Sequence, residues 1–380
     1  MRKLLIKNGL VYNAVEREPK KVDILSVDGK ITKIEASISD TDATIIDAEG
    51  KRVYPGFIDA HTHLGLDTSN AAFDVDYNEM NGPVTPQVRA IDGYNPMDKS
   101  IELARKGGVT TICTGPGSAN VLGGTFMAVK TYGKRVDDVV IKKEVAMKAA
   151  FGENPKRCYK DKAISSRMTT ASILRTNLSK AKEYLRKLEA AGDDNEKRPG
   201  FDAVMEALIP VVKGEMPIKA HAHRADDIFT AIRIAKEFGV KLTLEHVTDG
   251  ALIADELAAE HYPCAVGPSL GHPSKLELNN KSFETPGILA KAGCDVSIIT
   301  DAGVIPQEYL SLCAGLAVKA GMDSFEALKA ITINPAKHIG IEDRVGSIEV
   351  GKDADFVISE GDPMLSETRI LNVIIDGEER

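Results

Sequence analysis

The sequence lacks the features that would mark a secreted, membrane-spanning or nucleic-acid-binding protein. Its five cysteines, Cys113, Cys158, Cys264, Cys294 and Cys313, are odd in number and scattered, with no CxxC spacing. That argues against a disulfide framework and against a cysteine zinc site, and reduced thiols in a cytoplasm are expected. Basic excess is missing too: the net charge is -8, so neither nucleic acid nor an anionic membrane is an expected partner. No segment reaches the roughly 18 uninterrupted apolar residues of a membrane span. The opening MRKLLIKNGLVYN is broken by Lys7 and Asn8, so no targeting segment is expected. What remains, 380 residues at 43% hydrophobic and 27% charged, has the composition of a globular protein with room for one large domain and a small one.

The pattern along the chain divides accordingly. The first fifty or so residues read as short strands with turns, and Asp28-Gly29 gives a hairpin signal between VDILSV and KITKIEA. The last forty are β-rich again, in RVGSIEVGKDADFVISEG and RILNVIIDGEE. These ends are expected to pair into one composite β domain, residues 1–54 plus 343–380. Between them, β-type runs alternate with helical stretches such as DDIFTAIRIAKEFG, ALIADELAAE and FEALKAITINPAKHIG. The strand candidates are FIDAHTH, VTTICTG, TFMAVKTYG, VAMKAAFGE, PIKAHAH, VKLTLEHV, YPCAVGPS and DVSIITDAG. Eight βα units over residues 55–342 predict a (β/α)8 TIM barrel, with its site at the C-terminal ends of the strands. The polar stretch near 160–210, with the charged run GDDNEKRPG, is expected to be a solvated helical insertion.

The chemistry collects at those strand ends. Five of the eight histidines, His61, His63, His221, His223 and His246, end predicted strands, and Asp301 ends the last. Residues two apart on a strand share a face, so each HxH pair points one way. Imidazoles and a carboxylate suit a catalytic zinc site, and zinc lets water act as the nucleophile near neutral pH. The bland alternative, polar residues hydrogen-bonded at strand mouths, would account for one HxH but not for two of them followed by LEHV and a closing aspartate. His223 remains open between second ligand, substrate contact and rim hydrogen bonding. His272, in GPSLGHPSK, is a candidate substrate contact, whereas His261 and His338 read as structural or solvated. Arg224 follows His223, and strand alternation would turn it away from the pocket. The glycines of GPGSANVLGGT lack P-loop and GxGxxG order and are expected to form a mobile loop near the barrel mouth.

Together PGFIDAHTH, GVTTI, KAHAH, LEHV, IITDAG and ALKAITINPAKHIGIEDRVGSIEVGKDADFVI resemble the amidohydrolase superfamily, and most its imidazolonepropionase-related group. The resemblance covers nearly the whole chain. It implies a distorted (β/α)8 barrel, a small β-sandwich from both termini, and one or two divalent metals, zinc foremost. It also implies metal ligation by His61, His63, His221, His246 and Asp301, with Asp301 shuttling the proton. Two-metal members need a bridging group. Glu153 is assigned that role, carboxylated Lys148 is the alternative, and a single metal follows if neither bridges. The implied activity is hydrolysis of a C–N bond in a small polar, cyclic amide or amidine by a cytoplasmic enzyme, and homo-oligomers are common in the group it resembles. An Xaa-Pro-type dipeptidase and an amino-sugar deacetylase are competing readings. A non-catalytic binding barrel would be expected to have lost the first-strand pair or the last aspartate, and all three residues are present.

Overall fold

The computed structural model describes residues 1–67 and 75–380. Five N-terminal strands come first: β1 (Lys3–Val11), β2 (Lys20–Val27), β3 (Lys30–Glu35), β4 (Thr44–Asp47) and β5 (Arg52–Pro55). The β2–β3 hairpin turns at Asp28 and Gly29, both with positive φ, as expected for an Asp-Gly turn. After the barrel come β14 (Phe356–Ser359), β15 (Ile370–Ile375) and β16 (Glu378–Glu379). The two ends of the chain meet where β14 runs antiparallel to β5, with Phe356 opposite Pro55. The resulting sheet has the order β16-β15-β14-β5-β1-β2-β3, with β4 pairing β1. Leu4, Ile6, Ile24, Val53, Phe356 and Ile374 fill its core.

The second sheet contains β6 (Phe57–Thr62), β7 (Val109–Thr114), β8 (Leu122–Lys130), β9 (Val140–Ala150), β10 (Ile218–Ala222), β11 (Leu242–His246), β12 (Cys264–Val266) and β13 (Val296–Ile298), hydrogen-bonded in chain order. These are the eight expected runs, and they curl into a nearly closed barrel. One expectation is corrected. β8 is antiparallel to both neighbours, so the barrel is not eight uniform βα units. Its flanking links, residues 115–121 and 131–139, are too short for a parallel crossover, which takes about a dozen residues or more. Reversal puts the start of β8 level with the end of β9, where Leu122 pairs with Ala149. The glycine-rich segment is thereby brought to the mouth.

Helices coat the barrel. The segment near 160–210 is only partly a solvated insertion: Arg167–Ala191 and Ala203–Val212 are helices, and the exposed charged run is the turn between them. Leu174, Leu178 and Ala181 lie buried on one helical stripe and share a core with Leu208, Val211, Ile228 and Ile232. The stretch FEALKAITINPAKHIG forms two helices, Ser324–Ala330 and Ile333–His338, because Pro335 is tolerated only in a first turn. Among the described residues no helix is long and apolar enough to cross a membrane.

A buried ion cluster joins barrel to terminal sheet. Lys130, at the end of β8, is 2% exposed and meets Asp355, with Asp353 at 3.1 Å and Asp376 at 3.4 Å. Breaking a buried pair by removing one partner costs about 3–5 kcal/mol, since the remaining charges lose compensation. Lys130→Met is therefore expected to lower the urea midpoint markedly, and a midpoint equal to wild type would show that these charges do not hold the two sheets together.

Candidate metal centre

The site is assembled from the barrel's first and last strands inward. Asp59, fully buried on β6, accepts hydrogen bonds from the His61 N–H (2.9 Å), the Thr300 N–H (2.9 Å) and hydroxyl (2.7 Å), and Gln307 (2.6 Å). Burial pushes its carboxyl up to about 6 despite those donors. This clasp brings the end of β6 to the segment after β13. There Asp301 Oδ1 stands 3.3 Å from His63 Nε2 and 3.7 Å from His61 Nε2. From β10 comes His221, from the residue just past its end His223, and from β11 His246. Alternation alone would turn His246 away from the face of Glu245, but a φ of 75° at His246 redirects it. Asp301 also has positive φ, 52°. Non-glycine residues seldom hold such angles, and where they do the surroundings over-determine them.

Each imidazole is fixed through Nδ1. His61 Nδ1 is 3.0 Å from Glu245 Oε2, His63 donates to Gly115 O at 2.7 Å, and His246 donates to Gly267 O at 2.9 Å. His221 and His223 bond the hydroxyls of Ser118 and Thr248, each at 2.8 Å. A carbonyl or carboxylate can only accept, so the proton of a neutral ring at His61, His63 and His246 sits on Nδ1 and Nε2 carries an acceptor lone pair. Burial holds His61, His221 and His223 well below the usual imidazole range and His246 at about 4. The ring nitrogens converge. His221 Nε2, His246 Nε2 and Asp301 Oδ1 are buried without a hydrogen-bond partner, and two donor groups form, His221/His223/His246 and His61/His246/Asp301, each with its ligand atoms within 4.8 Å of one another. Orphaned lone pairs facing a carboxylate fit a divalent cation, which imidazole and carboxylate donors commonly hold.

Among the two bridging candidates, the structure brings Lys148 to the histidines. Its Nζ lies 3.1 Å from His61 Nε2, and burial lowers its pKa to about 7. Glu153, the expected bridge, turns toward Glu277 instead. Gly152, with φ of 79°, turns the chain, and Glu153 opens the helix Glu153–Tyr159. Its Oε1 accepts the Glu277 N–H at 3.0 Å, while its own N–H donates to Glu277 Oε2 at 2.9 Å. The carboxylate that does approach the histidines is that of Glu277 itself, 3.9 Å from His221 Nε2 and 3.8 Å from His223 Nε2.

A cavity of about 550 Å³ opens above these groups, bounded by Tyr77, Arg157, Lys275 and Lys281, with the exposed His272 on its wall. Tyr77 stacks on His63 at 5.3 Å. Arg224 turns away as expected, to pair with Asp226 at 2.9 Å. His261 is exposed, whereas His338 is buried and bonds Glu245 Oε1 at 2.9 Å. The glycine-rich segment is packed rather than loose, supplying Gly115 O and Ser118 Oγ. A side chain at Gly115 would place its Cβ 2.4 Å from the Phe126 ring. Sequence reasoning missed Asp59, Ser118, Lys219, Glu245 and Glu277. For three of them a signal existed: Asp59, Lys219 and Glu245 are charges inside otherwise apolar strands, where ionic groups are rarely buried unpaired.

Known proteins share this architecture. The sequence pattern of the Amidohydrolase family matches residues 52–380. The crystal structure of an amidohydrolase from Thermotoga maritima MSB8 is 42% identical, with a TM-score of 0.96 over 99% of both chains. An imidazolonepropionase from Symbiobacterium thermophilum is 28% identical, covering 83% of this chain and 77% of that protein. The amidohydrolase tasK of Hapsidospora irregularis is 28% identical over 93% of this chain, which spans only 39% of tasK's length. The matched span and the Thermotoga likeness together establish that the chain belongs to the Amidohydrolase family of carbon–nitrogen hydrolases.

Proposed function

We propose that the chain is a metal-dependent hydrolase of a C–N bond in a small polar, cyclic amide or amidine, using Zn(2+) as one or two ions. The observation that supports this most is the meeting of His63 Nε2 and Asp301 Oδ1 at 3.3 Å while His63 Nδ1 donates to a carbonyl. Two lone pairs then face each other and call for a cation between them. A single proton would serve one such pair, yet His221 and His246 also present buried nitrogens without a hydrogen-bond partner. In this reading His61, His63 and Asp301 would hold one ion, His221 and His246 would contribute to another, and Lys148, carboxylated on Nζ, would supply the group shared between them.

When bound, a divalent ion makes water nucleophilic near neutral pH and polarises the bond under attack. The chain's own groups do the rest. Asp301 is ionised, takes a proton from the attacking water and returns it to the leaving nitrogen. Tyr77 covers His63 and keeps bulk water from that side. His272 and the cationic wall face the non-reacting part of the substrate. The ring preference draws support from the imidazolonepropionase likeness.

The test is metal analysis of the purified chain, followed by assays of the zinc-, manganese- and iron-loaded protein on cyclic amides, Xaa-Pro dipeptides and N-acetylated amino sugars. Bound metal with ring opening is expected. A chain that takes up none of these ions has no hydrolytic centre of this kind, and cleavage confined to a dipeptide or amino sugar replaces the ring substrate.

A further inference from the structure

We propose that Glu277, with His223, completes a four-donor cation site formed by His221, His223, His246 and Glu277. The inference rests on the metal-dependent reading and adds two ligands to it. His221, His223 and His246 already form a group whose nitrogens lie within 4.8 Å. Glu277 enters from a different element, the short turn Leu276–Leu278 beyond β12, and its side chain is wholly buried. Its Oε2 is occupied by the Glu153 N–H, so Oε1 is the oxygen left to face the histidines.

That oxygen has no aligned hydrogen-bond donor, and neither has His221 Nε2. The separations of 3.8 and 3.9 Å from Oε1 to the two imidazole nitrogens exceed hydrogen-bonding distance. They suit a shared ion instead. Donors each about 2.0–2.2 Å from zinc can stand at most about 4.4 Å apart. The place also attracts positive charge, because Lys275 Nζ reaches within 2.5 Å of Oε1 without hydrogen-bond alignment. An ammonium there is a competitor for the cation. The surroundings are built for a carboxylate in this position: a Cβ at Gly152 would lie 2.5 Å from Glu277 Oε2, so only glycine leaves room for it.

The experiment titrates the chelator-stripped, full-length chain with Zn(2+) and with Co(2+), reading bound equivalents after desalting and the visible spectrum of the cobalt protein. Removing an outer partner of a ligand costs about 10–100-fold in affinity, so losing a direct ligand is expected to exceed about 100-fold for one equivalent. Glu277→Gln and His223→Gln should both show that loss and change the cobalt spectrum, whereas Asp301→Asn should keep the equivalent. Glu277→Gln retains shape and an acceptor oxygen for the Glu153 N–H. Should it still fail to fold, Lys275→Met provides the independent arm, binding the same equivalent more tightly than wild type once the ammonium is gone. Wild-type affinity in both the Glu277 and His223 variants, or in Lys275→Met where Glu277→Gln does not fold, overturns this site and leaves the hydrolase reading intact. A wild-type chain that binds no ion at all overturns both.

Discussion

Replacing Asp301 with asparagine is expected to lower kcat by about 10²–10⁴-fold, the usual contribution of a positioned proton-transfer group, in assays with enough added metal to fill the weakened site. Burial would push this carboxyl up, but His246, His63 and His61 outweigh that effect and hold it well below the ordinary carboxylate range. At neutral pH it is an acceptor in waiting. Asparagine preserves an oxygen toward His63 and the overall shape, yet cannot take a proton from water or return one to a nitrogen. The deficit should therefore fall on kcat, with KM little changed, and metal content measured on the same sample separates a lost proton shuttle from a lost ion. Should the variant keep kcat within a few-fold of wild type with its metal in place, Asp301 is a ligand only, and the proton must travel by another group.

The sequence was most readable where periodicity and chemistry coincide. FIDAHTH, PIKAHAH and LTLEH are short apolar strands ending in histidine, and parallel strands gather their ends by topology, so the histidine cluster followed from pattern. The pairing of the two termini was equally legible in the β-rich style of both ends. Direction was not: TFMAVKTYG reads the same whether it runs with its neighbours or against them, and only the shortness of the links on either side hinted at reversal. Position along a side chain was harder still. Glu153 lies closer to the strand end than Lys148, but a left-handed glycine swings it out and a backbone N–H captures it, while the long lysine side chain reaches His61. Glu277 was illegible for a different reason. It comes from a loop with no periodicity, and its role depends on where that loop lands. Ser118 was hidden likewise, in a glycine-rich stretch whose packing decides everything.

Beneath the histidines, the charges inside the strands form a network whose removal should be costly. Glu245, wholly buried, receives His61 Nδ1 at 3.0 Å and Lys219 Nζ at 2.9 Å on Oε2, and His338 at 2.9 Å and the Thr243 hydroxyl at 2.7 Å on Oε1. Burial alone would raise its pKa, but Lys219, His338 and His61 overcome that and hold it well below the usual value of 4.5. A carboxyl with a depressed folded-state pKa contributes stability that is fully present above 4.5 and drains away as the pH falls below it. Glu245→Gln strips the charge and leaves Lys219 buried without a counterion, so a loss of about 3–5 kcal/mol is expected at neutral pH. The variant should also lose the wild type's extra decline in stability below pH 4.5. A second consequence reaches the site: a glutamine amide can donate as well as accept, so His61 is no longer held with its proton on Nδ1, and metal affinity should fall about 10–100-fold. Adding Lys219→Met removes the stranded charge and should restore more than half of the stability without restoring metal affinity. Urea unfolding of the single and double variants, beside zinc titration of each, tests both halves. If Glu245→Gln unfolds at the wild-type midpoint and binds zinc as tightly, the carboxylate neither supports the fold nor sets the His61 tautomer.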